Sequence, residues 1–275
     1  MTTSSPDPDL SVRLVAGGAA LLSFAVLADS GVEHYRGSFH DPAMVLPLIT
    51  SGLGIAINGR RAQRPDAAGG RAGNASHVAT AAIGVGGLGF HAYNITKRVG
   101  GLSLNNLFYA APVGAPAALV LAGALGKAAD ALAAGEERIG PVPLASGRAI
   151  GLVAGIGILG TVGEAALLHF RGAYHDPFMW APVTLPPIAA LALLRDLADD
   201  EPRQATMILL GATALLGCIG VGFHTYGVSR NMGGWRNWRQ NLLAGPPIPA
   251  PPAFTGLALA GLGALLLMKR RRKHG

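Results

Sequence analysis

Charge is what this sequence has least of. Only 13% of its 275 residues are Asp, Glu, Lys or Arg, against roughly 25% in a soluble domain, which excludes a soluble enzyme of ordinary composition. Cysteine is nearly absent. The single Cys218 excludes a disulfide framework, a thiolate zinc site and CxxCH haem attachment. There is no nucleotide P-loop and no Ser-His-Asp arrangement. What is present is apolar: 50% of the chain is hydrophobic, with 40 Gly and 19 Pro too dispersed for collagen and too embedded in apolar runs for a disordered linker. Membrane helices tolerate both residues, because neighbouring helices satisfy the freed backbone groups.

A net charge of +7 invites a nucleic-acid reading, and the positions of the charges argue against it. Lys269, Arg270, Arg271, Arg272 and Lys273 form one tail directly after an apolar run, and Arg60, Arg61, Arg64 and Arg71 share one short loop. Basic residues flanking apolar segments orient membrane helices and attract anionic lipid. The partner they imply is the lipid bilayer, with no nucleic acid.

With a window of roughly 17–25 apolar residues per span, about eight candidates emerge. They are centred on Leu14–Val32, Ala43–Asn58, Val78–Ile95, Leu107–Gly126, Ala149–Leu168, Phe178–Leu194, Ala205–Tyr226 and Ala253–Met268. The second and sixth are short and contain Pro47, Pro182, Pro186 and Pro187, which predicts kinks or tilts. The expected fold class is all-α, a polytopic membrane protein. Residues 1–11 read as a disordered tail without the pattern of a removed signal peptide. Residues 12–135 and 147–268 form two four-helix units joined by a linker over 136–146, and 269–275 is the basic tail. An even number of spans puts both termini on one side. That side carries most of the basic residues, so the termini are expected in the cytoplasm and the chain in the cell (inner) membrane. Trp180, Trp235 and Trp238 fall near the opposite, outer ends.

The chain repeats itself. His34-Tyr-Arg-Gly-Ser-Phe-His40-Asp-Pro-Ala-Met44 returns as His169-Phe-Arg-Gly-Ala-Tyr-His175-Asp-Pro-Phe-Met179. Phe90-His91-Ala-Tyr93 returns as Phe223-His224-Thr-Tyr226, each followed by a Gly-Gly pair. Asn106-Leu107 to Pro116 corresponds to Asn241-Leu242 to Pro251. Four spans per half means both halves insert the same way round, a parallel repeat about an axis along the membrane normal.

The repeat sorts the eight histidines. His34, His40 and His91 pair with His169, His175 and His224, whereas His77 and His274 have no counterpart and lie at a predicted cytoplasmic helix start and in the basic tail. Asp29 and Glu164 are paired too, each five residues before His34 and His169. An acid inside an apolar span is costly and marks a functional site by default. Three imidazoles and one carboxylate near the outer end of each half suit a non-haem Fe, Cu or Zn centre. Positions five apart on a helix do not share a face, however, so joint ligation by Asp29 and His34 needs local distortion. Asp41 and Asp176 read as N-caps, each followed by Pro at the first helical position. Arg36 and Arg171 are candidates for an acid partner or a haem propionate. Tyr93 and Tyr226 are candidates for a hydrogen bond to a bound species or for interfacial anchoring.

Haem b is the rival cofactor. A His34–His91 pair and a His169–His224 pair would each supply two axial imidazoles, and the glycines of Gly84–Gly89 and Gly217–Gly222 would suit a porphyrin face. Gly84–Gly89 also matches GxGxxG, but inside an apolar span with no strand before it, which excludes a dinucleotide site. The sequons at Asn74 and Asn94 are uninformative. Three functions stand on these residues. The first is a redox-active non-haem membrane metalloprotein, possessing a membrane-oxidoreductase chemistry. The second is a b-type haem electron-transfer subunit serving a quinone or another redox partner. The third is a transporter or a structural subunit of a membrane complex whose histidines bond loop backbone. Transport is disfavoured because the ionisable groups sit at one end of the spans and not at the midplane.

Overall fold

Apolar helices long enough to cross a membrane dominate the architecture. In the computed structural model, which describes residues 8–66, 70–109 and 112–274, seven qualify: Asp9–Arg36, Pro42–Gln63, Gly114–Ala133, Gly147–Arg171, Pro177–Ala198, Gln204–Ser229 and Pro252–Arg272. This is the all-helical pattern of an integral membrane protein. The helices are α1 (Pro8–Arg36), α2 (Leu46–Gln63), α3 (Arg71–Thr96), α4 (Leu104–Tyr109), α5 (Gly114–Ala133), α6 (Gly147–Arg171), α7 (Ala181–Ala198), α8 (Gln204–Ser229), α9 (Trp238–Ala244) and α10 (Pro252–His274).

Three boundaries differ from the sequence reading. The third expected span, α3, is as long as α8, 26 residues, but is not among the seven, because polar residues at both ends (Asn74, Ser76 and His77; His91 and Asn94) and five glycines lower its apolar content. The fourth expected span, Leu107–Gly126, divides into α4 and α5. Pro112 interrupts the helical ladder, and Pro116 then sits in the first turn of α5, where its missing N–H costs nothing. Helix α1 begins at Pro8, so residues 8–11 are helical where a disordered tail was expected. Ser11 is buried, with its carbonyl against Gly263 of α10. Residues 1–7 lie outside the described residues. The basic tail continues α10 as helix.

Without a hydrophobic drive between helices in lipid, close packing of small residues holds the bundle together. Helices α1 and α10 pack through Gly18 and Gly256, and a Cβ on Gly256 would lie 2.7 Å from Gly18 O. Gly84 of α3 lies under Pro116 O and Val120 N of α5. Gly217 of α8 does the same under Pro251 O and Thr255 N of α10. Helices α2 and α3 flank α1 and α5, and α7 and α8 flank α6 and α10. Arg13 donates to Ala62 O and Gln63 O at 3.1 and 3.0 Å, and Arg148 donates to Leu197 O at 3.1 Å. The start of α1 therefore lies beside the end of α2, and the start of α6 beside the end of α7. The histidine loops gather at the opposite end.

Candidate functional site

Each histidine loop is built on backbone that non-glycine residues rarely adopt. After α1 the chain reverses through Ser38 (φ 59°) and Phe39 (φ 45°), and after α6 through Ala173 (φ 55°) and Tyr174 (φ 46°). A left-handed non-glycine residue costs about 1–2 kcal/mol, and such strain concentrates where function fixes geometry. Here the turn swings Phe39 edge-on to His34, with centroids 6.1 Å apart at 80°, and Tyr174 edge-on to His169, 6.1 Å apart at 84°. Asp41 and Asp176 then cap short 3-10 turns, accepting from Ala43 N–H at 2.8 Å and Phe178 N–H at 2.9 Å. This is the capping that the Asp-Pro pairs predict.

All three histidine pairs share one hydrogen-bonding pattern. His34 Nδ1 is 2.7 Å from Met44 O and His169 Nδ1 is 2.8 Å from Met179 O. His91 Nδ1 meets Pro112 O, and His224 Nδ1 is 2.6 Å from Pro247 O. His40 Nδ1 and His175 Nδ1 turn back to Gly37 O and Gly172 O, at 3.1 and 2.9 Å. A backbone carbonyl only accepts, so each Nδ1 is the donor, and in the neutral imidazole the lone pair is then on Nε2. That tautomer is the one a histidine adopts when Nε2 is a ligand and a carbonyl orients the ring.

Electrostatic coupling links four of the imidazoles in twos. His34 lies within electrostatic range of His91, and His169 within range of His224. His40 and His175 stay exposed in their own loops. Asp29 is within electrostatic range of Glu164, Glu33 and Arg36. Glu164 accepts from the Gly114 N–H and packs on its Cα. Among the described residues no group of three or more His, Cys, Asp and Glu side chains is close enough to share a metal ion. The expected set of three imidazoles and one acid is therefore not assembled here. The five-residue spacing puts the acid on a different face of its helix, and the loop bond to Gly37 or Gly172 holds the third imidazole away.

The remaining candidates have other partners. Arg36 chelates Glu33 with both contacts at 2.8 Å and also reaches Leu243 O. The Arg171 guanidinium lies 5.1 Å over the Tyr109 ring. Tyr93 and Tyr226 are exposed beneath Lys97 and Arg230, at 5.3 and 5.6 Å, as interfacial anchors would be.

Two features went unseen in the sequence. Asn106 Nδ2 donates to Val99 O and Gly101 O at 3.1 and 2.7 Å, and Asn241 Nδ2 to Met232 O and Gly234 O at 3.2 and 2.8 Å. Each Asn clamps a Gly-Gly turn whose glycines have positive φ, and the repeated Asn with its Gly-Gly was the available signal. The short helices also cross between halves: α9 meets α1 through Arg239 and Tyr35, and α4 meets α6 through Phe108 and Phe170, 5.6 Å apart. These contacts set α9 against the end of α1 and α4 against the end of α6. No family model, no curated protein and no solved structure matches the chain.

Proposed function

We propose that this protein is an integral membrane metalloprotein of parallel two-fold repeat architecture. It has eight spans when α3 is counted, and one redox-active transition-metal centre at the histidine end of each half. The centres are built on His34 with His91 and on His169 with His224. The observation that carries this reading is the repeated Nδ1-to-carbonyl bond, which orients each ring and, in the neutral imidazole, leaves Nε2 as the ligating nitrogen. Imidazole suits Fe, Cu and Zn. Asp29, Glu164, His40 and His175 complete a non-haem shell only by moving on metal binding.

The arrangement in twos gives specific support to a second cofactor, haem b. Iron in a porphyrin takes two axial imidazoles and needs no third protein donor. Either centre exchanges electrons with a quinone or a protein partner at that face of the bilayer, which the basic flanks make the outer face of the cell membrane.

The test is to purify the protein in detergent, measure bound metal and record the visible spectrum. A Soret band that His91→Ala diminishes and His91→Ala/His224→Ala abolishes establishes haem. Stoichiometric Fe, Cu or Zn without that band establishes the non-haem centre. Protein with neither after reconstitution with haem or with each metal refutes the proposal and leaves the histidines as loop fasteners.

A further inference from the structure

The two halves differ most at the end opposite the histidines. Arg61 of α2 donates through Nε to Asp130 Oδ1 of α5 at 2.9 Å, and His77 Nε2 of α3 lies 3.3 Å from Asp130 Oδ2. His77 and Asn58 both pack on the bare Cα of Gly126. An added Cβ there would lie 2.5 Å from His77 Nδ1 and 2.7 Å from Asn58 Oδ1. One turn along α2, Gly54 is covered by Ser23 Oγ of α1, with Asn58 Nδ2 at 4.0 Å from the same point. Ser23, Ser51, Asn58 and His77 are all buried.

In the register set by His34/His169 and His91/His224, these positions in the second half are Ile158 for Ser23, Pro186 for Ser51 and Leu193 for Asn58. Leu210 stands for His77 and, in the register of Asn106/Asn241, Leu265 for Asp130. Gly126 itself corresponds to Gly261, which is covered by Leu193 and Leu210 at 3.2 and 3.3 Å. Beside Gly126 the crevice is thus lined by polar groups and beside Gly261 by leucine, whereas one turn nearer the termini both halves bury charge, Asp196 standing for Arg61 and bonded by Arg203 at 2.9 Å. Of the second half's buried hydroxyls, Thr213 and Thr255 close on Leu209 O and Ala214 O at 2.9 and 2.8 Å, as Ser23 of the first half closes on Ala19 O at 2.9 Å, and Thr206 faces the Asp196 carboxylate. In the first half, Ser51 Oγ and Asn58 Oδ1 are buried with no protein partner among the described residues. Buried polar atoms in that state are satisfied by internal water.

The polar positions continue toward the histidines. Ser23, Ser30 and His34 lie on one face of α1, seven and four residues apart. Ser51 lies one turn beyond Gly54 on the antiparallel α2, between Ser23 and Ser30 in height. With a rise of about 1.5 Å per residue, successive groups stand about 5 Å apart along the bundle, the span of one bridging water.

We propose that the first half contains a hydrated path, open to exchange with bulk water at the end of the bundle carrying the termini, that runs from beside Arg61, Asp130 and His77 past Asn58, Ser23, Ser51 and Ser30 to His34, and that the leucine-lined crevice beside Gly261 in the second half holds no such water.

Hydroxyl-radical footprinting of the full-length protein in nanodiscs tests the path without any metal or electron transfer. Radicals generated from internal water label nearby His and Leu side chains, so His77 and Leu210 are a matched pair inside one molecule. The expected result, after each rate is divided by the intrinsic radical reactivity of its side chain, is labelling of His77 about tenfold faster than Leu210, although both are buried, because internal water lies beside one and not the other. Asn58→Leu, which installs the second-half residue, lowers the His77 rate toward that of Leu210. Equal protection of His77 and Leu210 in the unsubstituted protein overturns the proposal, as does a His77 rate that Asn58→Leu leaves unchanged in protein that remains monodisperse. Failure to find a metal centre leaves these rates unaffected, so the two readings fail separately.

Discussion

Replacing Gly126 by Ala is a sharp perturbation, because Gly261 supplies its control within the same chain. At Gly126 the new methyl carbon falls 2.5 Å from His77 Nδ1, 2.6 Å from His77 Cε1 and 2.7 Å from Asn58 Oδ1. These contacts are roughly 1 Å too close, and overpacking of that kind costs about 1–3 kcal/mol. His77 is 2% exposed and cannot swing into solvent. The displaced ring therefore also surrenders its contact to Asp130, and a stranded buried polar group costs about 1–3 kcal/mol. The gain in helix propensity from Gly to Ala returns only about 1 kcal/mol. The net is a loss of about 3 kcal/mol, or roughly 5–10 °C in Tm for a chain of this length. At Gly261 the nearest atoms are the ends of two leucines at 3.2 and 3.3 Å, which yield by a few tenths of an ångström. Propensity then offsets packing, and Gly261→Ala falls within about 1 kcal/mol of the unsubstituted protein. Thermal unfolding in one detergent, followed by circular dichroism, compares them directly. If Gly126→Ala is as stable as Gly261→Ala, the reasoning about this crevice is wrong.

Two further substitutions probe the frame that carries the histidines. Gly17 and Gly18 are neighbours on α1, but only Gly18 faces another backbone, that of Gly256. Gly18→Ala is expected to cost about 1–3 kcal/mol and Gly17→Ala to be neutral or slightly stabilising, as read by Tm. Asn241→Leu removes both donors of the clamp on Met232 O and Gly234 O, at a cost of about 1–3 kcal/mol. Limited proteolysis should then cut between 230 and 237, where the unsubstituted protein resists.

The spans were legible because their signal is composition summed over many residues, which single exceptions do not disturb. The break between α4 and α5 was not, since Pro112 and Gly114 are ordinary inside apolar runs, and only packing decides whether they interrupt. At the histidine loops, the Asp41 and Asp176 caps were readable from Asp-Pro alone. The left-handed Ser38–Phe39 and Ala173–Tyr174 turns were not, because nothing in those residue types asks for positive φ. His77 shows a subtler limit. Sorting residues by retention across the repeat discards whatever only one half carries, and His77 with Asp130 is such a case. Setting His77 against Leu210 and Asp130 against Leu265 would have exposed it, because polar residues standing where a repeat partner buries leucine need a reason.

The central claim is two centres per chain, one on each imidazole pair. Its most direct measurement is the cofactor stoichiometry of the His34→Ala/His91→Ala protein beside the unsubstituted one, after identical reconstitution. The account predicts about two equivalents of metal or haem falling to about one, with the His169–His224 centre keeping its spectrum, because each pair is oriented by its own backbone carbonyls. Loss of both equivalents together, or retention of both, contradicts it.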